Sequence, residues 1–137
     1  TKVLWSADQA LPDTTSPLTD GTHVWVLETG GMLVCYDADS GELRYEHNFE
    51  TLFNASPALA GDRLYLTDTK GRTYVCDAGA AFNLRHTNPL GEPVYASLAF
   101  QDGRVYIRGK EHLYCIATND RANATDATDT KESERAD

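Results

Sequence analysis

Apolar residues between Val24 and Gly41 come in two short runs, Val24-Trp25-Val26-Leu27 and Met32-Leu33-Val34-Cys35-Tyr36. Glycine-bearing turns close both runs, at Gly30-Gly31 and at Asp39-Ser40-Gly41. Runs this short, apolar on both faces and bounded by glycine, predict strands of a sheet sandwiched between two neighbours. The glycines supply the positive φ that tight hairpins require. With flanking segments included, the pattern predicts strands at Ser16-Pro17-Leu18, Thr22 to Leu27, Met32 to Tyr36 and Glu42 to His47.

The same pattern then returns. Leu33-Val34-Cys35-Tyr36-Asp37 recurs forty residues on as Thr73-Tyr74-Val75-Cys76-Asp77, and after forty more as Leu113-Tyr114-Cys115-Ile116-Ala117. Val24-Trp25-Val26 recurs as Leu64-Tyr65-Leu66 and as Val105-Tyr106-Ile107, the second step being forty-one residues because the third unit has a turn shorter by one. Ser16-Pro17, Ser56-Pro57 and Ser97-Leu98 mark the start of each unit. A period near forty with several short strands per period is the signature of β-propeller blades, and the 3.6-residue patterning of helical repeats is absent. The fold class is therefore all-β, in four-stranded antiparallel blades, with an incomplete ring because propellers close with about four to eight blades.

The predicted organisation is the last strand of a preceding blade and a linker over 1–15, a blade over 16–53, a blade over 54–95, an incomplete terminal blade over 96–118, and a disordered polar tail over 119–137. The first of these rests on a strand at Thr1 to Ser6, and the chain reads as the C-terminal part of a longer protein. The tail has no large apolar residue to offset the entropy of ordering. The terminal blade lacks a fourth strand, which the N-terminal segment of the complete protein is expected to supply, since propellers pair their edges.

Charge and chemistry narrow the picture further. Twelve basic against 21 acidic side chains give a net charge of −9, which argues against nucleic acid or an anionic membrane as partner. No apolar run approaches the ~20 residues of a membrane span. Cys35, Cys76 and Cys115 are odd in number and show no CxxC spacing. Cys76 is one residue out of phase with the other two and points to the opposite face. Sheets pack ~10 Å apart, and a disulfide needs Cα atoms within about 7 Å, so buried free thiols are expected.

Thr1 to Ser6, Ser16-Pro17, Asp20-Gly21, Val24-Trp25-Val26 and Tyr36-Asp37-Ala38-Asp39-Ser40-Gly41-Glu42-Leu43 together resemble the repeat of the pyrroloquinoline-quinone-like (PQQ-like) β-propellers. In that family the turn between the third and fourth strands reads Ala-x-Asp-x-x-x-Gly-x-x-x-Trp, and the tryptophan docks between blades. Cys35, Asp37, Gly41 and Tyr45 hold those positions here, and Trp5 resembles the end of the same motif from a preceding blade. The second unit keeps Asp77 but has Ala81 and Arg85 where the glycine and the aromatic belong. Trp5, Cys35, Asp37, Gly41, Tyr45 and Asp77 are thus the expected blade-docking residues.

The resemblance implies one of two functions. One is a non-catalytic, extracytoplasmic scaffold similar to the outer-membrane-assembly lipoprotein propellers, with the remaining blades and a protein as its partners. The other is the C-terminal part of a quinoprotein dehydrogenase, whose family members hold the quinone and a calcium ion near the ring axis, many against an adjacent cysteine pair. No Cys-Cys pair occurs in this chain, so neither PQQ nor calcium is expected within it. His23, His47, His86 and His112 lack HxH or HExxH spacing, and the calcium-loop likeness of Asp37 to Gly41 fails at its twelfth position, Asn48. No GxSxG, P-loop or dinucleotide fingerprint is present. The expectation is no catalytic and no metal residue, with recognition carried by loops at the blade ends.

Overall fold

The computed structural model describes residues 1–117. The expected polar tail over 119–137 lies outside the described residues.

Eleven strands make three antiparallel sheets, and no helix occurs among the described residues. The first sheet runs in the order β1 (Leu18–Thr19), β2 (His23–Leu27), β3 (Met32–Asp37), β4 (Leu43–Asn48). The second repeats that order with β5 (Ala58–Ala60), β6 (Arg63–Thr67), β7 (Arg72–Asp77) and β8 (Leu84–Pro89). The third has three strands, β9 (Ala99–Gln101), β10 (Arg104–Arg108) and β11 (Leu113–Ala117). Each is a meander; the first two are the four-stranded unit of a propeller blade, and the third has three of its strands. Thr1 to Ser6, expected as the last strand of a preceding blade, pairs with no strand among the described residues.

Register explains why both faces of the inner strands are apolar. Trp25 pairs with Cys35 and Leu27 with Leu33, so these four share one face of the first blade. Leu64 pairs with Cys76 and Leu66 with Tyr74 on one face of the second. The two faces form a single buried core together with Phe53 from the connecting linker. Cys35 and Cys76 thereby face each other's blades, the consequence of their one-residue phase difference. The opposite face of the second blade, carrying Tyr65 and Val75, turns toward Val105, Ile107 and Ile116 of the third.

Two features recur at each joint. The N–H of Ser16 donates to the Oγ of Ser56 at 2.9 Å, and the N–H of Ser56 donates to the Oγ of Ser97 at 3.0 Å, so the serines that open the units are bonded blade to blade. On the way out of a blade, the chain crosses the hairpin between its second and third inner strands. Phe49 donates its N–H to the Gly31 carbonyl and Leu90 donates to that of Gly71, both at 2.9 Å. Gly31 (φ +110°) and Gly71 (φ +87°) are buried beneath this crossing. Any side chain there would strike the backbone of Thr51 or of Glu92.

Candidate functional site

The sequence singles out the turns between the third and fourth strands, and in the first blade this turn is a docking platform. Gly41 (φ +75°) takes a left-handed conformation, and a Cβ on it would lie 2.6 Å from the Trp5 ring. Trp5 lies on this bare backbone, donates its indole N–H to the Ala38 carbonyl at 2.9 Å, and sits 5.9 Å from the Tyr36 ring. Gly41 therefore serves conformation and close approach together.

At the next joint the arrangement differs. Tyr45 is half-buried and its hydroxyl accepts the Trp25 indole N–H at 2.9 Å. Burial raises the Tyr45 phenol above its usual range. Phe82, from the second blade's turn, approaches Tyr45 at 6.0 Å and stacks on His47 at 3.8 Å with nearly parallel planes. Sequence reasoning missed Phe82, although it stands one residue after the Ala81 that replaces the docking glycine. The aromatic position expected at Arg85 falls instead on His86, which pairs with Val75 as Tyr45 pairs with Cys35. The second turn is one residue longer, so a count from Asp77 lands one position short. His86 lies on an exposed strand.

Asp37 and Asp77 organise these turns. Asp37 Oδ1 accepts the N–H groups of Asp39 and Ser40 and the Ser40 hydroxyl, while Oδ2 takes Arg44 at 2.8 Å. Asp77 receives Arg63 and Arg85 on Oδ1, and Arg85 and Asn83 on Oδ2. A β-bulge explains the arginines. In both fourth strands the register slips at the same place, leaving Arg44 and Arg85 as extra residues that reach back to the turn aspartate. Arg44 foremost, then the Ser40 amide, holds the Asp37 carboxyl well below the ordinary range, and Arg85 foremost lowers that of Asp77.

A third carboxylate, that of Asp68, which the sequence reading did not single out, is wholly buried. Asp68 Oδ1 accepts the N–H groups of Lys70 and Arg72, and Oδ2 accepts Arg72 Nε at 2.8 Å, the Tyr74 hydroxyl at 3.1 Å and the Thr51 hydroxyl at 3.3 Å. It caps the β6–β7 hairpin and ties it to the linker from the first blade.

The remaining candidates are dispersed. All three cysteines are free, with Cys35 and Cys76 buried, and burial pushes both of those thiols up to about 12. His23 meets Asp20, His47 stacks on Phe82, and His112 meets Glu92, each in a different part of the fold. Among the described residues no three His, Cys, Asp or Glu side chains gather as metal ligands, and no helix is long and apolar enough to cross a membrane. The turn chemistry on view is that of acceptors saturated by amides and guanidinium groups.

The sequence profile of the family described as outer membrane protein assembly factor BamB matches residues 1–84. No curated protein matches the chain in sequence. Among solved structures, BamB from Moraxella catarrhalis is similar at 18% identity and TM-score 0.65, over 80% of this chain and 34% of that one. A europium-containing methanol dehydrogenase is similar at 16% identity and TM-score 0.67, over 86% of this chain and 25% of that one. A quinohemoprotein alcohol dehydrogenase from Pseudomonas putida HK5 is similar at 12% identity and TM-score 0.65, over 81% and 20%. The chain thus spans 20–34% of the length of these structures, and at such identities the likeness is one of fold.

Proposed function

The chain belongs to the family described as outer membrane protein assembly factor BamB, and from that premise we propose that it is a non-catalytic PQQ-like propeller module that acts as a scaffold for assembling proteins outside the cytoplasm. The observation that carries this reading is how the acidic side chains of the blade turns are used. Asp37, Asp68 and Asp77 are each saturated by backbone amides, hydroxyls or arginines of their own or the adjoining turn, and the thiols of Cys35 and Cys76 are buried and held protonated. Polar groups spent in this way fix loops on a stiff frame, which suits a surface that recognises another protein. The other reading, a portion of a quinoprotein dehydrogenase, is supported by the fold shared with the two dehydrogenases.

Two measurements on the full-length protein separate these readings. Titration with pyrroloquinoline quinone and calcium, followed by quinone absorbance, is expected to give no saturable binding. Cross-linking in cell envelopes is expected to trap a component of membrane-protein assembly. Saturable, calcium-dependent quinone binding would overturn the scaffold reading.

A further inference from the structure

The third blade lacks the carboxylate that caps the hairpin of the second. Strand pairing aligns Gly109 with Asp68: the N–H of Asp68 donates to the Arg72 carbonyl at the foot of its hairpin, and that of Gly109 donates to the His112 carbonyl at 2.8 Å. Gly109 is buried and does not have a positive φ, so conformation does not account for a glycine there. Space does. A Cβ on Gly109 would run into the carboxylate of Glu92, which arrives from the linker between the second and third blades.

Glu92 makes the bonds that Asp68 makes one blade earlier. Its Oε1 accepts the N–H groups of Glu111 at 2.7 Å and His112 at 3.1 Å, as Asp68 Oδ1 accepts those of Lys70 and Arg72. Its Oε2 pairs with His112 Nδ1 and accepts the Tyr114 hydroxyl, both at 2.8 Å, as Asp68 Oδ2 takes Arg72 Nε and the Tyr74 hydroxyl. The linkers correspond as well. Lys110 donates its N–H to Pro93 as Thr69 donates to Leu52, which aligns Glu92 with Thr51. Both residues lay their backbone carbonyl over the preceding hairpin glycine, Gly31 under Thr51 and Gly71 under Glu92.

We propose that the capping carboxylate of the third blade has moved from the hairpin to the linker, so that Glu92 is a strap holding the β10–β11 hairpin to the β6–β7 hairpin. The pair Thr51 and Asp68 at one joint is replaced by Glu92 and Gly109 at the next, and each carboxylate fills the place the other position leaves vacant. The second blade's hairpin is closed by its own side chain. The third blade's hairpin keeps its own Gly109-to-His112 bond and the Arg108 bonds to the Gly109 and Lys110 carbonyls, but its Glu111 and His112 amides are capped only while the linker lies in place, which makes their opening dependent on the joint with the second blade.

Amide hydrogen exchange on the full-length protein tests this, with the Leu66 and Cys76 amides as internal references. Glu92→Thr and Glu92→Gln are expected to speed exchange at Glu111 and His112 by about tenfold or more while the references stay unchanged, since hydrogen bonds to a charged acceptor are the stronger ones. Gly109→Asp alone is expected to speed the same amides, because two carboxylates then compete for one place. Glu92→Thr combined with Gly109→Asp rebuilds the arrangement of the preceding joint and is expected to restore protection to within a few-fold of the parent. If Glu92→Thr unfolds the whole third blade, seen as lost protection at Ile107, recovery in the double variant still decides. A double variant no better protected than the worse single one, or a Glu92→Thr variant as protected as the parent, overturns the proposal.

Discussion

Substituting Leu90→Phe should stabilise the joint between the second and third blades. A cleft of about 180 Å3 lies there, lined chiefly by apolar groups including Tyr65, Val75, Leu90, Val105, Ile107 and Ile116. At the preceding joint Phe49, which aligns with Leu90 through their shared bond to the hairpin glycine, packs 5.6 Å from Phe53 and 4.7 Å from Tyr74. Val94 and Tyr114 stand where Phe53 and Tyr74 do, so the aromatic packing loses two rings between one joint and the next. Enlarging a core residue usually costs about 1–3 kcal/mol through overpacking. That penalty depends on a full site, and a cavity of about 150 Å3 already admits a benzene ring. Filling rather than strain should prevail. Burial of roughly 40 Å2 of additional ring surface at ~25 cal/mol/Å2 contributes about 1 kcal/mol, and solvent access to the cleft keeps the gain near or below that. Thermal unfolding of the full-length protein followed by circular dichroism near 215 nm should show a rise of a few degrees, and exchange at Ile107 and Val75 should slow. A fall in melting temperature, or Leu90→Ala proving as stable as the parent, would refute the reasoning.

Acid should loosen the turns in a defined window. The Glu92 carboxyl is held down to about 2, first by the bond with His112 and then by the Glu111 amide and Tyr114, against an ordinary value of 4.5. A depressed carboxyl contributes stability that is complete above its unfolded pKa and is lost as pH falls through the folded one. Protection at Glu111 and His112, corrected for intrinsic exchange, should therefore decline between about pH 4.5 and 2, and Glu92→Gln should remove that dependence. Thiol titration gives a second check: Cys35 and Cys76 should resist a disulfide reagent at pH 8 in the native protein and react on unfolding, because the thiolate is the nucleophile and burial disfavours it. Cys115, half-buried on the third blade, should react first.

What the sequence discloses and what it hides divides along physical lines. Strands were legible because apolar periodicity and turn glycines are local, and because the unit repeats. The phase of Cys76 could be read by counting, which put it on the opposite face from Cys35, while the blade it faces had to come from the packing. The place of the second docking position could not, since an extra residue in the Asp77 turn moves it from Arg85 to His86. Thr1 to Ser6 has the composition of a strand, and a strand exists only as a member of a ladder, so its state turns on neighbours other than the described residues. Asp68 was not singled out, since nothing local distinguishes a buried aspartate from a solvated one. Glu92 was hidden more deeply, because its role is decided by a glycine seventeen positions away. The one visible sign was that the third unit's turn is shorter and carries Gly109 in the place of an aspartate.

The serines that open the units have a consequence of another kind. Ser16 gives through its backbone, Ser97 receives through its side chain and Ser56 does both, so the bond from Ser16 to Ser56 and the bond from Ser56 to Ser97 run in one direction. A joint with a distinct giving side and receiving side is heterologous in the sense used for subunits, and such joints repeat head to tail until they meet or continue indefinitely. Gain or loss of a whole unit by duplication or deletion of its gene segment leaves every surviving joint with a matched giver and receiver. A change by part of a unit leaves one of each without its counterpart. The repeat can therefore vary its number of units in whole steps, and losing the Ser56 hydroxyl breaks one junction only, since the Ser56 N–H still serves the other.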